Sequence, residues 1–322
     1  MSVINIGVLG CATISERSVI PAILSLPNHF NLVAVASRTS EKAEKFAQKF
    51  HCEAITSYDA LISRKDIAAL YIPLPTGLHE EWINKALQSG KHVYAEKSLA
   101  YNLASAEKMI KTAEKKGVAL MEGFMFQYHS QHEHLKSLLA QGIIGDIRHF
   151  SASFGFPPLN SDNFRYDKKI GGGAIFDACA YPVRAAFFIL GDNLKVKSSS
   201  VYFDKNTNAS IYGSAFMKGI NGIGVSLAFG FDNFYQCNYQ IWGSKGKITV
   251  NRAFTPRPDQ IPTFTIETSD KIEIIELPPD NHFIKALSEF HSIITNENLR
   301  AKHFKEILQQ SEALELIEKL AQ

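Results

Sequence analysis

The stretch Val3-Ile4-Asn5-Ile6-Gly7-Val8-Leu9, running into Gly10-Cys11-Ala12-Thr13-Ile14-Ser15, decides how the rest of the chain is read. An apolar strand delivered into a glycine-led turn is where a dinucleotide-binding fold places its G-x-G-x-x-G loop. The glycine lets the backbone turn tightly, and the following helix N-terminus offers unpaired N–H groups to a pyrophosphate. Of that fingerprint only Gly10 remains, with Ala12 and Ser15, both small, in the other two places. Gly10, Cys11, Ala12, Thr13 and Ile14 are therefore expected to cradle the phosphates of a cofactor.

Outward from this turn, short apolar runs alternate with helical patterns, the layout of βαβ units around a parallel sheet. Strands are expected at 3–9, 32–37, 69–72, 92–95 and 119–123, with helices at 19–26, 40–50, 79–89 and 103–116. Gly90 and Gly117 follow the last two helices and read as left-handed caps. After Gly123 the texture changes. A polar helix from about 127 to 140 precedes strand-like segments at 147–154, 196–203, 209–217, 222–231, 234–243 and 247–250, rich in aromatic and β-branched residues. One helix, 174–190, interrupts them, and two more close the chain, the first repeating Phe283, Leu287, Phe290 and Ile294 at helical spacing. The fold class read from this is α/β: a Rossmann dinucleotide-binding domain over 1–123, and over 124–322 an α+β domain with a large, mostly antiparallel open sheet for substrate binding and oligomerisation.

Composition narrows the function. The 322 residues are 45% hydrophobic and 20% charged, which suits a folded globular chain and excludes disordered or collagen-like architectures. The formal charge is only +2 and no run of basic residues is present, so neither nucleic acid nor an anionic membrane is an expected partner; a small molecule is. Cys11, Cys52, Cys179 and Cys237 are scattered without a C-x-x-C pair, which fits free thiols in a reducing compartment. The apolar runs, such as 185–190, are short for a membrane span, and a cytoplasmic location is expected.

The second strand ends in Ser37-Arg38-Thr39-Ser40, with Lys42 close behind. An enzyme for NAD places a carboxylate here to hold the ribose 2′-hydroxyl, whereas a hydroxyl and a guanidinium suit a 2′-phosphate. Ser37, Arg38 and Lys42 thus predict NADP(H).

The segments Tyr71-Ile72-Pro73-Leu74-Pro75-Thr76-Gly77-Leu78-His79 and Val93-Tyr94-Ala95-Glu96-Lys97-Ser98 together resemble the glucose-fructose oxidoreductase / inositol dehydrogenase (Gfo/Idh/MocA) family, marked by P-x-x-x-H after the fourth strand and Glu-Lys-Pro after the fifth. Ser98 stands where that family carries proline. The resemblance continues through 122–126, 142–145, 171–181 and 243–246 and covers nearly the whole chain. It implies that Pro73, Leu74, Thr76, Glu96 and Lys97 line the cofactor groove, with His79 at its nicotinamide end. Lys97, at the carboxyl end of a parallel strand, is expected to hydrogen-bond or protonate the oxygen whose carbon exchanges a hydride.

Gly171-Gly172-Gly173 and the helix after it are expected to form the facing wall, with Asp177 and Tyr181 four apart on one helix face. Tyr181 is a proton donor in this reading, and Asp177 a third catalytic residue. Phe154, Arg165, Tyr166 and Gly173 are the expected substrate contacts. His129, His132 and His134 lack a ligand spacing for zinc and are read as a solvated or substrate-rim helix, so no metal is expected. Gly-Cys-Ala in the phosphate loop, Tyr181 and the residues after it resemble most the nucleotide-sugar 3-ketoreductase branch. Its activity implies an NADP(H)-dependent oxidoreductase reducing a keto group on a nucleotide-linked deoxysugar. Pentose or dihydrodiol dehydrogenases are the alternative within the family, and a non-catalytic NADP-sensing regulator is the alternative outside catalysis. Aromatic residues on both faces of 235–242 predict a dimer or tetramer through the second sheet.

Overall fold

A computed structural model describes residues 3–321, which divide into two compact units, one comprising the chain up to Gly123 with Phe283–Ser311 and the other Phe124–His282 with the chain from Glu312 on. The sequence division left the closing helices wholly with the second domain. Most of their length instead packs on the first.

In the first unit, β1 (Ile4–Leu9), β2 (Phe30–Ala36), β3 (Glu53–Ile55), β4 (Ala69–Ile72), β5 (His92–Ala95) and β6 (Leu120–Glu122) pair in the order β3-β2-β1-β4-β5-β6, all parallel. β3 was not foreseen, since three residues, none of them fully buried, carry too little pattern. Four helices follow strands β2 to β5: α2 (Ser40–Phe50), α3 (Tyr58–Ser63), α4 (Thr76–Gln88) and α5 (Leu103–Lys116). Between β1 and β2 a helical run starts at Thr13, earlier than expected, widens into a π-type turn at Ser15–Val19 and closes as the short helix α1 (Ile20–Leu24). Asn102 caps α5 by accepting from the Ser105 N–H at 2.8 Å, and Gly90 and Gly117 reverse the chain at φ of 76° and 65°, as their positions after helices predict.

The helices α8 (His282–Thr295) and α9 (Arg300–Ala321) join this unit through their apolar faces. Phe290 stacks near Phe30 at 6.1 Å and Tyr94 at 5.6 Å, while Phe304 and Ile307 enter the cluster built by α4 and α5. The strand order reverses between β1 and β4, and open parallel sheets bind ligands outside the strand carboxyl ends at such a point. The turns after β1, β2, β4 and β5 therefore define the place to look.

The second unit holds an eight-stranded sheet in the order β14-β13-β12-β11-β7-β10-β9-β8. Its strands are β7 (Ile147–Gly155), β8 (Lys195–Phe203), β9 (Ser210–Lys218), β10 (Gly224–Gly230), β11 (Gln236–Gly243), β12 (Gly246–Val250), β13 (Thr263–Thr268) and β14 (Ile272–Glu276). Only β7 and β10 pair in parallel. β13 and β14 were overlooked although Phe264 and Ile266 alternate with threonines and point inward. One face, with Phe150, Phe154, Tyr239 and Ile241, is buried, and α7 (Ala180–Leu190) lies against β7 and β10. α6 (Ser130–Ala140) follows a short 3₁₀ turn, Met125–Tyr128. By length and composition the helical run Lys168–Leu190 is apolar enough to cross a membrane, a feature the short runs in the sequence had hidden; 78% of its apolar window is buried inside the fold, as in a core helix.

Candidate active site

At the carboxyl end of the first sheet a cavity of about 210 Å³ is lined by the turn after β1 (Gly10, Cys11, Ala12), the end of β2 (Ser37, Arg38, Thr39, Lys42) and the turn after β4 (Pro73, Leu74, Pro75), with Tyr58 from α3. Gly10 is fixed there by two constraints. Its φ is +129°, and a Cβ would stand 3.1 Å from the Leu74 side chain. Its N–H donates to the Ala36 carbonyl at 3.0 Å, and Ser15, fully buried, donates its hydroxyl back to the Gly10 carbonyl. The third small residue of the fingerprint thus braces the turn from beneath. Cys11 lies in the lining with its thiol donating to Ala36, and burial pushes its pKa up to about 11, so it is a neutral wall and not a nucleophile.

Among the described residues, this lining holds two cations, Arg38 and Lys42, and no carboxylate. Arg38 and Lys42 are exposed, and Ser37 is buried with its hydroxyl accepting the Thr39 N–H. A group carrying a phosphate on its ribose fits this chemistry. Thr39, Tyr58 and Pro75 were missed. Tyr58 could have been found only with β3 and α3, because its ring reaches the cavity from the first residue of α3 while meeting Trp82 edge-on at 5.0 Å. Thr13, Ile14 and Thr76 lie at the two helix starts beside the cavity but outside its lining.

Lys97 follows β5, and its loop is held from several sides. Glu96 accepts a 2.7 Å hydrogen bond from the buried Tyr71 hydroxyl, the Leu99 N–H donates to the Glu122 carboxylate at 2.7 Å, and the Ser98 and Leu99 carbonyls face Nδ1 of His79 at 2.9 and 3.3 Å. The Lys97–Ser98 peptide is cis. His79 departs from its expected place. It is fully buried, its Nε2 faces the Leu74 carbonyl at 2.7 Å, and desolvation lowers its pKa to about 4 against the pull of these carbonyls. It is a brace between two loops and does not line a groove. The strand and motif positions of Tyr71 and Glu122 in the sequence do not disclose these roles.

In the second unit, two of the three glycines serve a close approach of the chain to itself, and Gly171 has a positive φ of 120°. A Cβ on Gly172 would stand 2.5 Å from the Asp167 carbonyl, and one on Gly173 would stand 2.4 Å from the Ser210 hydroxyl. Gly173, expected as a substrate contact, is buried in this packing. After it, Ile175–Cys179 form a wide π-type turn, so Asp177 and Tyr181 do not keep the regular helical relation assumed from their spacing. Asp177 pairs with Arg165 instead, Nε to carboxylate at 2.5 Å, the two side chains 17% and 30% exposed. Tyr181 is buried among Phe154 (4.8 Å between ring centroids), Phe254, Phe124 and Phe126, with its hydroxyl 3.9 Å from the Met125 sulfur. Phe154 shapes that aromatic wall. Tyr166 accepts the Leu159 N–H on its hydroxyl at 3.0 Å and lines a cavity of about 660 Å³ with Asn163, Phe164, Lys168 and Lys169.

Two of the three histidines expected at a solvated or substrate rim are in the core, while His134 is half-buried. His129 and His132 are fully buried, and His132 bridges the Tyr239 hydroxyl at 2.7 Å and the Ala253 carbonyl at 3.0 Å, its pKa lowered to about 3 by desolvation. Among the described residues no cluster of three or more His, Cys, Asp or Glu could hold a metal ion.

Comparison with known proteins accords with this geometry. The family model described as an oxidoreductase family with an NAD-binding Rossmann fold matches residues 4–124, and that of the Gfo/Idh/MocA C-terminal domain matches 132–249. A dTDP-3,4-didehydro-2,6-dideoxy-α-D-glucose 3-reductase of Saccharopolyspora spinosa is 39% identical over 287 residues, 89% of this chain and 86% of that one. The solved structure of a 3-ketoreductase from Actinomadura kijaniata, in complex with NADP and TDP-benzene, superposes with a TM-score of 0.96 at 35% identity, covering 99% of this chain and 98% of that chain. An aldose-aldose oxidoreductase from Caulobacter crescentus shares the fold at 20% identity, with a TM-score of 0.90 and coverage of 99% and 98%. With both halves matched in order, and with 39% identity to a full-length relative, the chain belongs to the Gfo/Idh/MocA family of oxidoreductases.

Proposed function

We propose that this oxidoreductase is an NADPH-dependent ketoreductase acting on a dTDP-linked ketodeoxysugar, with Lys97 and Tyr181 at the reacting oxygen. The observation that carries the reading is the 39% identity to a dTDP-sugar 3-reductase, joined to a cavity lining that has cations where a 2′-phosphate would sit. Forms of the Actinomadura kijaniata enzyme have been solved with a lysine replaced by alanine and with a tyrosine replaced by phenylalanine. Those two positions are separated in that chain by as many residues as separate Lys97 from Tyr181 here, which supports the pairing.

NADPH, when bound, supplies the hydride to the carbonyl carbon. The residues of this chain act on the oxygen: Lys97 offers a cation beside the developing negative charge, and Tyr181 donates the proton that completes the hydroxyl. Asp177 orients Arg165 by their ion pair, and the guanidinium, which also donates to Asn163, is the cation offered to an anionic or hydroxylated substrate. A positioned proton donor contributes ~10²–10⁴-fold, so Lys97→Ala should cut kcat on that scale while NADPH binds normally. Wild-type turnover by Lys97→Ala would remove the lysine from the chemistry.

The same reading places the protein in the cytoplasm as a homo-oligomer with a small-molecule partner. Its four cysteines are free, as a reducing compartment keeps them. Trp242, Ile272 and Ile274, 60%, 72% and 67% exposed, share the outer side of the second sheet with the stacked pair Tyr202 and Tyr212, which supports a subunit contact on that face.

A further inference from the structure

The P-x-x-x-H segment ends in a histidine that the chemistry above does not use, yet its ring is fully buried and faces backbone carbonyls at both edges. His79 sits in the first turn of α4 with no exposed surface. One edge of the ring faces the Leu74 carbonyl at 2.7 Å, and Leu74 lines the cofactor cavity. The opposite edge faces the carbonyls of Ser98 at 2.9 Å and Leu99 at 3.3 Å, the residues directly after Lys97. Carbonyl oxygens only accept, and a neutral imidazole carries a single N–H. The ring can therefore give its proton to the cofactor loop or to the lysine loop, but not to both at once.

We propose that His79 is a positioning residue for the reduction: with its proton on Nδ1 it donates to the Ser98–Leu99 backbone and so fixes the place of the Lys97 ammonium, while its Nε2 edge only abuts the Leu74 wall of the cofactor cavity. Glu122 grips the same loop from the other side through the Leu99 N–H, so that the chain after Lys97 is held at both a donor and an acceptor. A displacement of about 1 Å at a reacting group can cost on the order of 10²-fold in rate, which makes such a brace consequential without any contact to substrate. The inference rests on Lys97 acting at the reacting oxygen.

The two edges can be separated by substitution. In His79→Asn the amide nitrogen lies where Nδ1 was and can still donate toward Ser98; in His79→Gln it lies where Nε2 was and can donate only toward Leu74. Turnover would be read with NADPH and dTDP-3,4-didehydro-2,6-dideoxy-α-D-glucose, NADPH affinity by fluorescence, and folding by thermal melting, for each variant alone and combined with Lys97→Ala. The expected result is a kcat about tenfold or more below wild type for His79→Gln, a smaller loss for His79→Asn, and no further loss from either change once Lys97 is alanine, because the lysine it positions is gone. Equal losses in the two variants, or a loss of the same size persisting in the Lys97→Ala background, would overturn the proposal. If Lys97→Ala itself turns over normally, the ketoreductase assignment of the lysine fails first, and the two failures are told apart by that single variant.

Discussion

Replacing Arg38 by alanine should weaken NADPH binding and leave NADH binding almost untouched. The guanidinium stands with Lys42 and Ser37 around a cavity whose lining, among the described residues, contains no carboxylate, so the free enzyme has no group that rewards an unphosphorylated ribose. A hydrogen bond to a charged group contributes ~1.5–3 kcal/mol. Arg38 is exposed, and solvent screening draws the value to the lower end of that range, roughly 1.5 kcal/mol, or about tenfold in Kd. The loss should also shrink with salt, because charges in solvent are screened within ~10 Å at ~0.1 M and ~3 Å at ~1 M ionic strength. Fluorescence titration of NADPH and NADH into wild type and Arg38→Ala, at low and high salt, measures all of this. An equal loss for the two cofactors, or no loss for NADPH, would show that the 2′-phosphate is not held at the end of β2.

Three further outcomes test other parts of the structure. Gly172→Ala places a Cβ 2.5 Å from the Asp167 backbone, and overpacking against an unyielding neighbour costs ~1–3 kcal/mol, so the melting temperature should drop by several degrees; an unchanged melt would mean the turn at 165–173 is looser than described. Desolvation lowers the pKa of His79 and His92 to about 4 and of His132 to about 3. The unfolded chain takes up protons below pH ~6.5 that these folded rings refuse, so stability complete above that pH is lost as pH falls toward about 4, by up to ~1.4 kcal/mol per pH unit and ring. Melting curves from pH 7 to 4 should steepen accordingly and be shallower in His132→Gln, whereas a flat profile contradicts the burial of the neutral rings. Trp242→Glu, at a position 60% exposed on the outer sheet face, should shift sedimentation toward the monomer; an unaltered sedimentation coefficient would place the subunit contact elsewhere.

Much of the parallel half was legible because its signals are local. The helices at 40–50 and 103–116 have the bounds expected, the second ending at its Gly117 cap, and the turn at Gly10 is dictated by one positive φ and the close approach of Pro73 and Leu74. What escaped depends on contacts distant in sequence. β3 exists because it can add to β2, not through any pattern of its own, and Tyr58 reaches the cavity only as a consequence. α8 joins the first unit because Phe290 meets Phe30 and Tyr94, which spacing along the helix cannot announce. Histidine was the hardest residue to read. His79, expected at a groove, and His132, expected at a rim, are both buried, and an imidazole with carbonyl or phenol partners inside a core has the same one-letter signature as a ligand-facing one. Asp177 and Tyr181 illustrate a further limit: an i, i+4 relation presumes 3.6 residues per turn, and the wide turn at Ile175–Cys179 alters it.

The central claim is that hydride passes from NADPH to the keto carbon of a dTDP-linked deoxysugar. Incubating the enzyme with dTDP-3,4-didehydro-2,6-dideoxy-α-D-glucose and NADPH deuterated at the transferable nicotinamide position, then locating the deuterium in the product by NMR, tests it directly. The expected result is one deuterium at the sugar's C3, accompanied by stoichiometric loss of the reduced-cofactor absorbance. Absorbance that does not change with this substrate, or deuterium that appears at any other carbon, would contradict it.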